Sequence, residues 1–257
     1  FLNDGAGNFS PGSAMIQFGI SPCLGDYDND GDLDLWLGRA GSDRLFANDG
    51  KGNLRAGDLS GVAGPETCTS VARQLDIDCD GDLDLLAFRL SQGHVPAAAD
   101  ARAAASSVWI NNRNGTWTDT AAALGLEFAD TPVAAFVADD FDNDRDVDLL
   151  IFPAGQRQPL AWINDRGGAY RTAEGANIGC DAQRVLSATS GDPDKDGDQD
   201  VLVFSEQSVK LFLNQGGFRF GEDSSFAGRH GGLAGSGGQF ADMDNDGDLD
   251  IVMGDAQ

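Results

Sequence analysis

The chain has 257 residues, with 42 Asp and Glu against 17 Lys and Arg, and a formal net charge of −25. So acidic a surface excludes nucleic acid as a partner, because phosphate binding needs a basic face. Hydrophobic residues make up 41% of the chain, enough for a core. No apolar run reaches 18 residues, so no membrane-spanning helix and no direct membrane insertion are expected.

In chain order, the first stretch is FLNDGAGNF (1–9). It reads as a strand end, a Gly turn and an aromatic strand start. No signal peptide is visible, and residue 1 is Phe rather than Met, so a processed or cropped start is expected. DYDNDGDLD (26–34) follows, with Asp at every second position, and runs into the apolar LWLG (35–38). Next come LFAN (45–48) and, after a Gly turn, GNLRA (52–56). The same series returns with DIDCDGDLD (76–84), DFDNDRDVD (140–148), DPDKDGDQD (192–200) and DMDNDGDLD (242–250). The matching apolar runs are LLAF (85–88), LLIF (149–152), VLVF (201–204) and IVMG (251–254). VWIN (108–111), AWIN (161–164) and LFLN (211–214) repeat the strand ending in Asn, and GTWTD (115–119), GAYRT (168–172) and GFRFG (217–221) repeat the last strand. A further strand, such as TSVARQL (69–75) or TPVAAFVA (131–138), leads into the next loop.

The loops start at 26, 76, 140, 192 and 242, at intervals of 50, 64, 52 and 50. Four short strands per period of about 50 residues, joined by Gly, Asn and Asp turns, is the anatomy of a propeller blade. Runs apolar on both faces fit strands covered on both sides. The predicted fold is therefore an all-β propeller of four-stranded blades occupying residues 1–257 as one domain, with five blades visible. Either residues 1–20 complete the blade begun at 234–257 in a closed five-bladed ring, or they belong to an upstream blade of a six- to eight-bladed propeller. The longer second interval holds SQGHVPAAADARAAASS (91–107), Ala-rich after a Pro, which reads as a short helix or a loose loop.

Each Asp loop reads as a cation cage. Aspartates at positions 1, 3 and 5 point inward when the chain curls, position 7 offers its carbonyl and position 9 closes the shell. Gly at position 6 permits the positive-φ turn. The candidate metal residues are Asp26, Asp28, Asp30, Asp32 and Asp34; Asp76, Asp78, Asp80, Asp82 and Asp84; Asp140, Asp142, Asp144, Asp146 and Asp148; Asp192, Asp194, Asp196, Asp198 and Asp200; and Asp242, Asp244, Asp246, Asp248 and Asp250. Hard oxygen ligands in an irregular cage suit Ca²⁺, whereas Mg²⁺ needs a tighter octahedron and Zn²⁺ favours His or Cys. Loop 3 has Arg145 at position 6, so its site is expected to be the weakest or altered in geometry. The four cysteines, Cys23, Cys68, Cys79 and Cys180, sit at differing offsets from the loops, so they form no repeated metal motif.

The series DxDxDGxxD, strand, LFxN, Gly and aromatic resembles the FG-GAP/VCBS repeats of the integrin α-chain propeller and of bacterial secreted proteins. DYDNDGDLDLWLG…RLFANDGKGN is most similar to the VCBS-type repeats found beside ASPIC/UnbV domains. The resemblance covers essentially the whole chain. It implies a calcium-binding propeller with four to five structural Ca²⁺ ions, its ligands matched at all five loops save for Arg145.

No GxSxG, HExxH or P-loop is present, and His94 and His230 read as loop residues. The Gly stretch of GRHGGLAGSGG (228–238) reads as a flexible loop, and Trp36, Trp109, Trp117 and Trp162 as core. The expected role is a calcium-stabilised binding or scaffold module that presents face loops to a protein or glycan partner. Two alternatives are a secreted hydrolase or lyase with its site in those loops, and an accessory subunit of a larger surface or membrane-associated complex. Calcium sites that fill near millimolar levels place the protein outside the cell, in a periplasm or on the cell surface.

Overall fold

The structure, a computed structural model, describes residues 2–3, 8–11, 19–57, 68–90, 103–127, 132–154, 158–166, 169–173, 178, 184–230 and 235–255. Strands β1 (Leu2–Asn3) and β2 (Phe9–Ser10) pair as a short hairpin. Four four-stranded antiparallel sheets follow. The first holds β3 (Ser21–Gly25), β4 (Asp34–Gly38), β5 (Arg44–Asn48) and β6 (Leu54–Ala56). The second holds β7 (Cys68–Leu75), β8 (Asp84–Leu90), β9 (Ala103–Asn111) and β10 (Trp117–Asp119). In the third are β11 (Val133–Asp139), β12 (Asp148–Pro153), β13 (Leu160–Asn164) and β14 (Tyr170–Thr172). The fourth consists of β15 (Val185–Gly191), β16 (Asp200–Ser205), β17 (Val209–Asn214) and β18 (Phe220–Glu222). Helix α1 (Ser224–His230) then leads to β19 (Gly235–Ala241) and β20 (Asp250–Asp255), which pair with each other alone among the described residues. Strand order within each sheet is sequential, so each is an up-and-down propeller blade with its Asp loop between first and second strands.

The chain forms two compact units. One comprises Phe1–Val95, Ala104–Ala122 and Leu126–Ala129, and the other Pro96–Ala103, Ala123–Gly125 and Asp130–Gln257. In the first unit, β3 lies beside β7 and the core between the two blades holds Trp36, Leu45, Leu85 and Trp109. In the second, β11 lies beside β15 and β15 beside β19. Side chains of β16 alternate between two cores. Val201 and Val203 pack with Phe141, Leu150 and Phe212, whereas Leu202 and Phe204 pack with Phe226 and, on β19 and β20, Phe240 and Ile251. This is why the second strands read as unbroken apolar runs. Each face of the pleat has its own neighbouring blade to pack on.

Three expectations change. The end of the Ala-rich segment is strand, since Ala103–Ser107 forms the start of β9; residues 91–102, with His94, lie outside the described residues. The β-branched and aromatic run that follows, and pairing with β8, override the helix preference of alanine. GSGGQFA is strand β19, not a loose loop, and its glycines fit a crowded site. A Cβ on Gly238 would lie 2.4 Å from the Val252 carbonyl oxygen and 2.6 Å from Phe204. His230 ends α1 instead of sitting in a loop. Trp36, Trp109 and Trp117 are buried as expected, and Trp162 is half-buried.

Candidate metal centres

Every Asp loop closes on itself through the same backbone donors. The position 1 carboxylate accepts two N–H groups, from positions 5 and 6. For Asp26 these are Asp30 at 3.1 Å and Gly31 at 2.9 Å, and the pair recurs at Asp76, Asp140, Asp192 and Asp242. The position 5 carboxylate accepts the position 7 N–H at 2.8–3.0 Å, at Asp30, Asp80, Asp144, Asp196 and Asp246. Two residues per loop take positive φ. Position 6 is one, with Gly31, Gly81, Gly197 and Gly247 at 88–93°. Position 4 is the other: Asn29, Cys79, Asn143, Lys195 and Asn245 lie at 58–64°. Arg145 accepts φ 74°, and loop 3 keeps the same hydrogen bonds as its neighbours. Its backbone geometry is therefore not altered.

Position 9 lies at the start of the second strand and is clamped from two sides. Oδ1 accepts the backbone N–H of the Asn that ends the third strand, Asn48 to Asp34 at 2.8 Å, Asn111 to Asp84 at 2.9 Å, Asn164 to Asp148 at 2.9 Å and Asn214 to Asp200 at 2.8 Å. Oδ2 accepts the N–H of position 2, from Tyr27, Ile77, Phe141 and Met243 at 2.9–3.1 Å. Loop 4 breaks this rule because position 2 is Pro193, which has no N–H. Asp200 Oδ2 is fully buried and has no hydrogen-bond partner.

Carboxylate oxygens of positions 1, 3 and 9 converge within 4.8 Å of one another in four loops: Asp26, Asp28 and Asp34; Asp76, Asp78 and Asp84; Asp140, Asp142 and Asp148; Asp192, Asp194 and Asp200. In loop 5 the converging set is Asp242, Asp244 and Asp246. No third strand among the described residues covers Asp250, which is exposed where its counterparts are buried. Burial, with its loss of hydration, raises the carboxyl of Asp84 to about 6 and those of Asp148 and Asp200 to about 7. Burial and neighbouring aspartates raise Asp28, Asp78, Asp142 and Asp194. Buried, mutually repelling carboxylates need a proton or a cation. Asp142 Oδ1 and Asp200 Oδ2 are buried acceptors with no donor, and the donor set is all hard oxygen. These residues fit a divalent cation of the calcium type.

The position 7 carboxylates turn away from the cage to neighbouring groups, and Asp82 and Asp146 are buried there. Asp82 accepts from Asn29 of the preceding blade's loop at 2.7 Å and pairs with Arg113. Asp198 accepts from Asn143 and Asp248 pairs with Lys195, again from position 4 one blade back. Asp146 pairs with Arg166 of its own blade, and Asp32 lies beside Gly50. The Asn that ends the third strand also reaches back one blade. The Asn111 amide donates to the Tyr27 carbonyl at 2.7 Å and that of Asn214 to the Phe141 carbonyl at 2.9 Å. Sequence reasoning saw this Asn recur but gave it no role. Arg113 and Arg166 were not foreseen, because the other blades have Gly50 and Gly216 at that place and no repeat marks them.

The FG-GAP-like repeat family matches residues 26–87 and 192–253. No curated protein matches the sequence. Among solved structures, a lectin from Agrocybe aegerita, described for recognition of non-reducing terminal N-acetylglucosamine, is similar at 16% identity and TM-score 0.41, over 90% of this chain and 73% of its own. A mutant of the Aleuria aurantia lectin in complex with Fucα1-6GlcNAc is similar at 13% identity and TM-score 0.47, over 86% of this chain and 66% of its own.

Proposed function

The chain carries FG-GAP-like repeats, and on that premise we propose that it is a calcium-stabilised extracellular binding module for a glycan or protein partner. The observation that carries the calcium reading is the cage itself. Three carboxylates converge in each of five loops, and in loop 4 a buried Asp200 oxygen has no donor to satisfy it. The cation would be held by positions 1, 3 and 9 in loops 1 to 4. It supplies charge that lets the carboxylates stay ionised, and so ties the first two strands of a blade together. A metal that binds only the folded chain stabilises by mass action, about 2.7 kcal/mol per site at 100-fold excess over Kd. Sites of this kind fill where Ca²⁺ is near millimolar, which supports a location outside the cell, in a periplasm or on the cell surface.

The binding role is supported by how the blades are built. Strands β8, β12 and β16 are buried along their whole length, so they offer a partner nothing, and the loops that join strands are the natural place for recognition. Thermal melts in excess Ca²⁺ and in chelator, with bound metal counted by elemental analysis, test the calcium reading. A large loss of melting temperature in chelator, with four to five Ca²⁺ per chain, is expected; no shift and no metal would overturn it. The partner reading is tested on immobilised glycans and on surface proteins presented to the calcium-loaded chain.

A further inference from the structure

Two places in the repeat that ought to match do not. In the second unit, Phe218 is buried between Phe141 of loop 3 and Phe220 of β18, with ring centroids 5.6 and 6.4 Å away. It stands four residues after Asn214. In the first unit the same frame exists. Tyr27 takes the place of Phe141 and Trp117 that of Phe220, with centroids 6.2 Å apart against 5.8 Å, and Asn111 reaches the Tyr27 carbonyl as Asn214 reaches that of Phe141. Four residues after Asn111, however, stands Gly115, and a Cβ there would meet nothing within 4 Å. The slot that Phe218 fills is therefore open. It is a pocket of about 340 Å³ lined by Tyr27, Trp117 and Gly115, and by polar Asp28, Asn29 and Arg113. That volume is within the ~300–1,000 Å³ of small-ligand sites.

We propose that this pocket is a subsite for one neutral pyranose ring, the sugar end of the glycan partner; it rests on the glycan reading given above. The aromatic pair suits the apolar C–H face of a sugar. Asp28 belongs to the cage and an Asn29 amide N–H goes to Asp82, but the Asn29 amide oxygen and the remaining Arg113 N–H groups suit hydroxyls, which both donate and accept. The charge must be zero. The Arg113 guanidinium is already engaged by Asp82 and the Asp80 carbonyl, and the carboxylates of Asp28, Asp80 and Asp82 remain close by. A uronate or sialate would meet net negative charge, because each Asp loop carries five carboxylates and one divalent cation offsets two of them.

The test titrates glucose, galactose, mannose and N-acetylglucosamine, with glucuronate as the anionic probe, into the calcium-loaded full chain. It follows the Trp117 indole N–H by NMR, assigned with Trp117→Phe. At least one neutral sugar is expected to shift that resonance with Kd on the order of 1 mM, and glucuronate to leave it unmoved. Gly115→Phe copies Phe218, which sits at φ 63° while Gly115 sits at φ 78°. It should weaken sugar binding at least ~10-fold with an unchanged calcium-loaded melt. If Gly115→Phe does not fold, the wild-type indole shift decides alone. Sugar binding that leaves Trp117 unmoved, or that survives Gly115→Phe, overturns the subsite and leaves the glycan reading standing. Glucuronate binding as well as the neutral sugars overturns the charge argument. No binding of any sugar, free or on immobilised glycans, overturns both.

Discussion

Pro193→Ala tests whether the loops are organised around the position 9 carboxylate. In four loops a position 2 N–H donates to that carboxylate at 2.9–3.1 Å, and in loop 4 Pro193 cannot. Asp200 Oδ2 is left buried with no donor. Alanine restores the N–H. A hydrogen bond to a charged group is worth about 1.5–3 kcal/mol. Against this, losing the proline frees the unfolded chain, which costs about 0.4–1 kcal/mol. The metal-free variant should thus gain about 1–2 kcal/mol, or several degrees in melting temperature at ~2–4 °C per kcal/mol for a chain of this size. In excess Ca²⁺ the gain should shrink, because the cation already satisfies the carboxylate that the wild-type chain leaves without a donor. Thermal melts of both proteins at about pH 8.5, above the Asp200 pKa of about 7 so that the carboxylate is ionised, in chelator and in Ca²⁺, read the effect. An unchanged or lowered melting temperature in chelator would refute the reasoning.

Chelated protein should lose stability as pH rises from about 4 to about 7. Asp84, Asp148 and Asp200 have pKa values raised from 3.8 to about 6, about 7 and about 7, so across that window the folded chain binds more protons than the unfolded one. Urea titrations at pH 5 and 7.5 check this, and saturating Ca²⁺ should remove the difference. Arg145→Gly relieves a left-handed residue costing about 1–2 kcal/mol and removes a guanidinium from loop 3. It should raise the affinity of the weakest class of sites in a calorimetric calcium titration. Arg89→Met leaves Asp43 buried without the guanidinium now 3.3 Å away, with the Thr69 hydroxyl still donating to it, and removes the cation that overlies the Trp109 ring. A loss of about 3–5 kcal/mol in urea is expected, with calcium stoichiometry unchanged.

The blades were legible because each strand announces itself twice, by its apolar run and by the turn that follows. The expected LLAF, LLIF and VLVF runs are the cores of β8, β12 and β16, and every run ending in Asn is a third strand. The departures come where local preference and tertiary packing disagree. Ala103–Ser107 favours a helix by composition but pairs with β8. GSGGQFA lacks side chains that mark a strand, yet its first residues press on Phe204 and on the β20 backbone, where only glycine fits. The open pocket was illegible for another reason. Gly115 reads as one more turn glycine, and its meaning shows only when Phe218 is found filling the equivalent space.

The alternating aspartates conceal a division of labour that alternation cannot express. In a strand, a period of two would put all five on one face. In a loop with two left-handed residues it does not, and the chain reverses between positions 4 and 6. In loops 1 to 4 positions 1, 3 and 9 are brought together, position 5 braces the turn, and position 7 is turned away from the cage, where in loops 2, 4 and 5 it meets position 4 of the preceding loop. The same residue type therefore serves two electrostatic ends. Inward carboxylates create a deficit of positive charge that a cation can fill. Outward carboxylates use the amide of Asn29 or Asn143 and the ammonium of Lys195 to join one blade to the next. A substitution of Asp82 or Asp198 by Asn should therefore leave the number of bound cations intact and loosen the contact between blades, whereas the same change at Asp84 or Asp200 should remove a site.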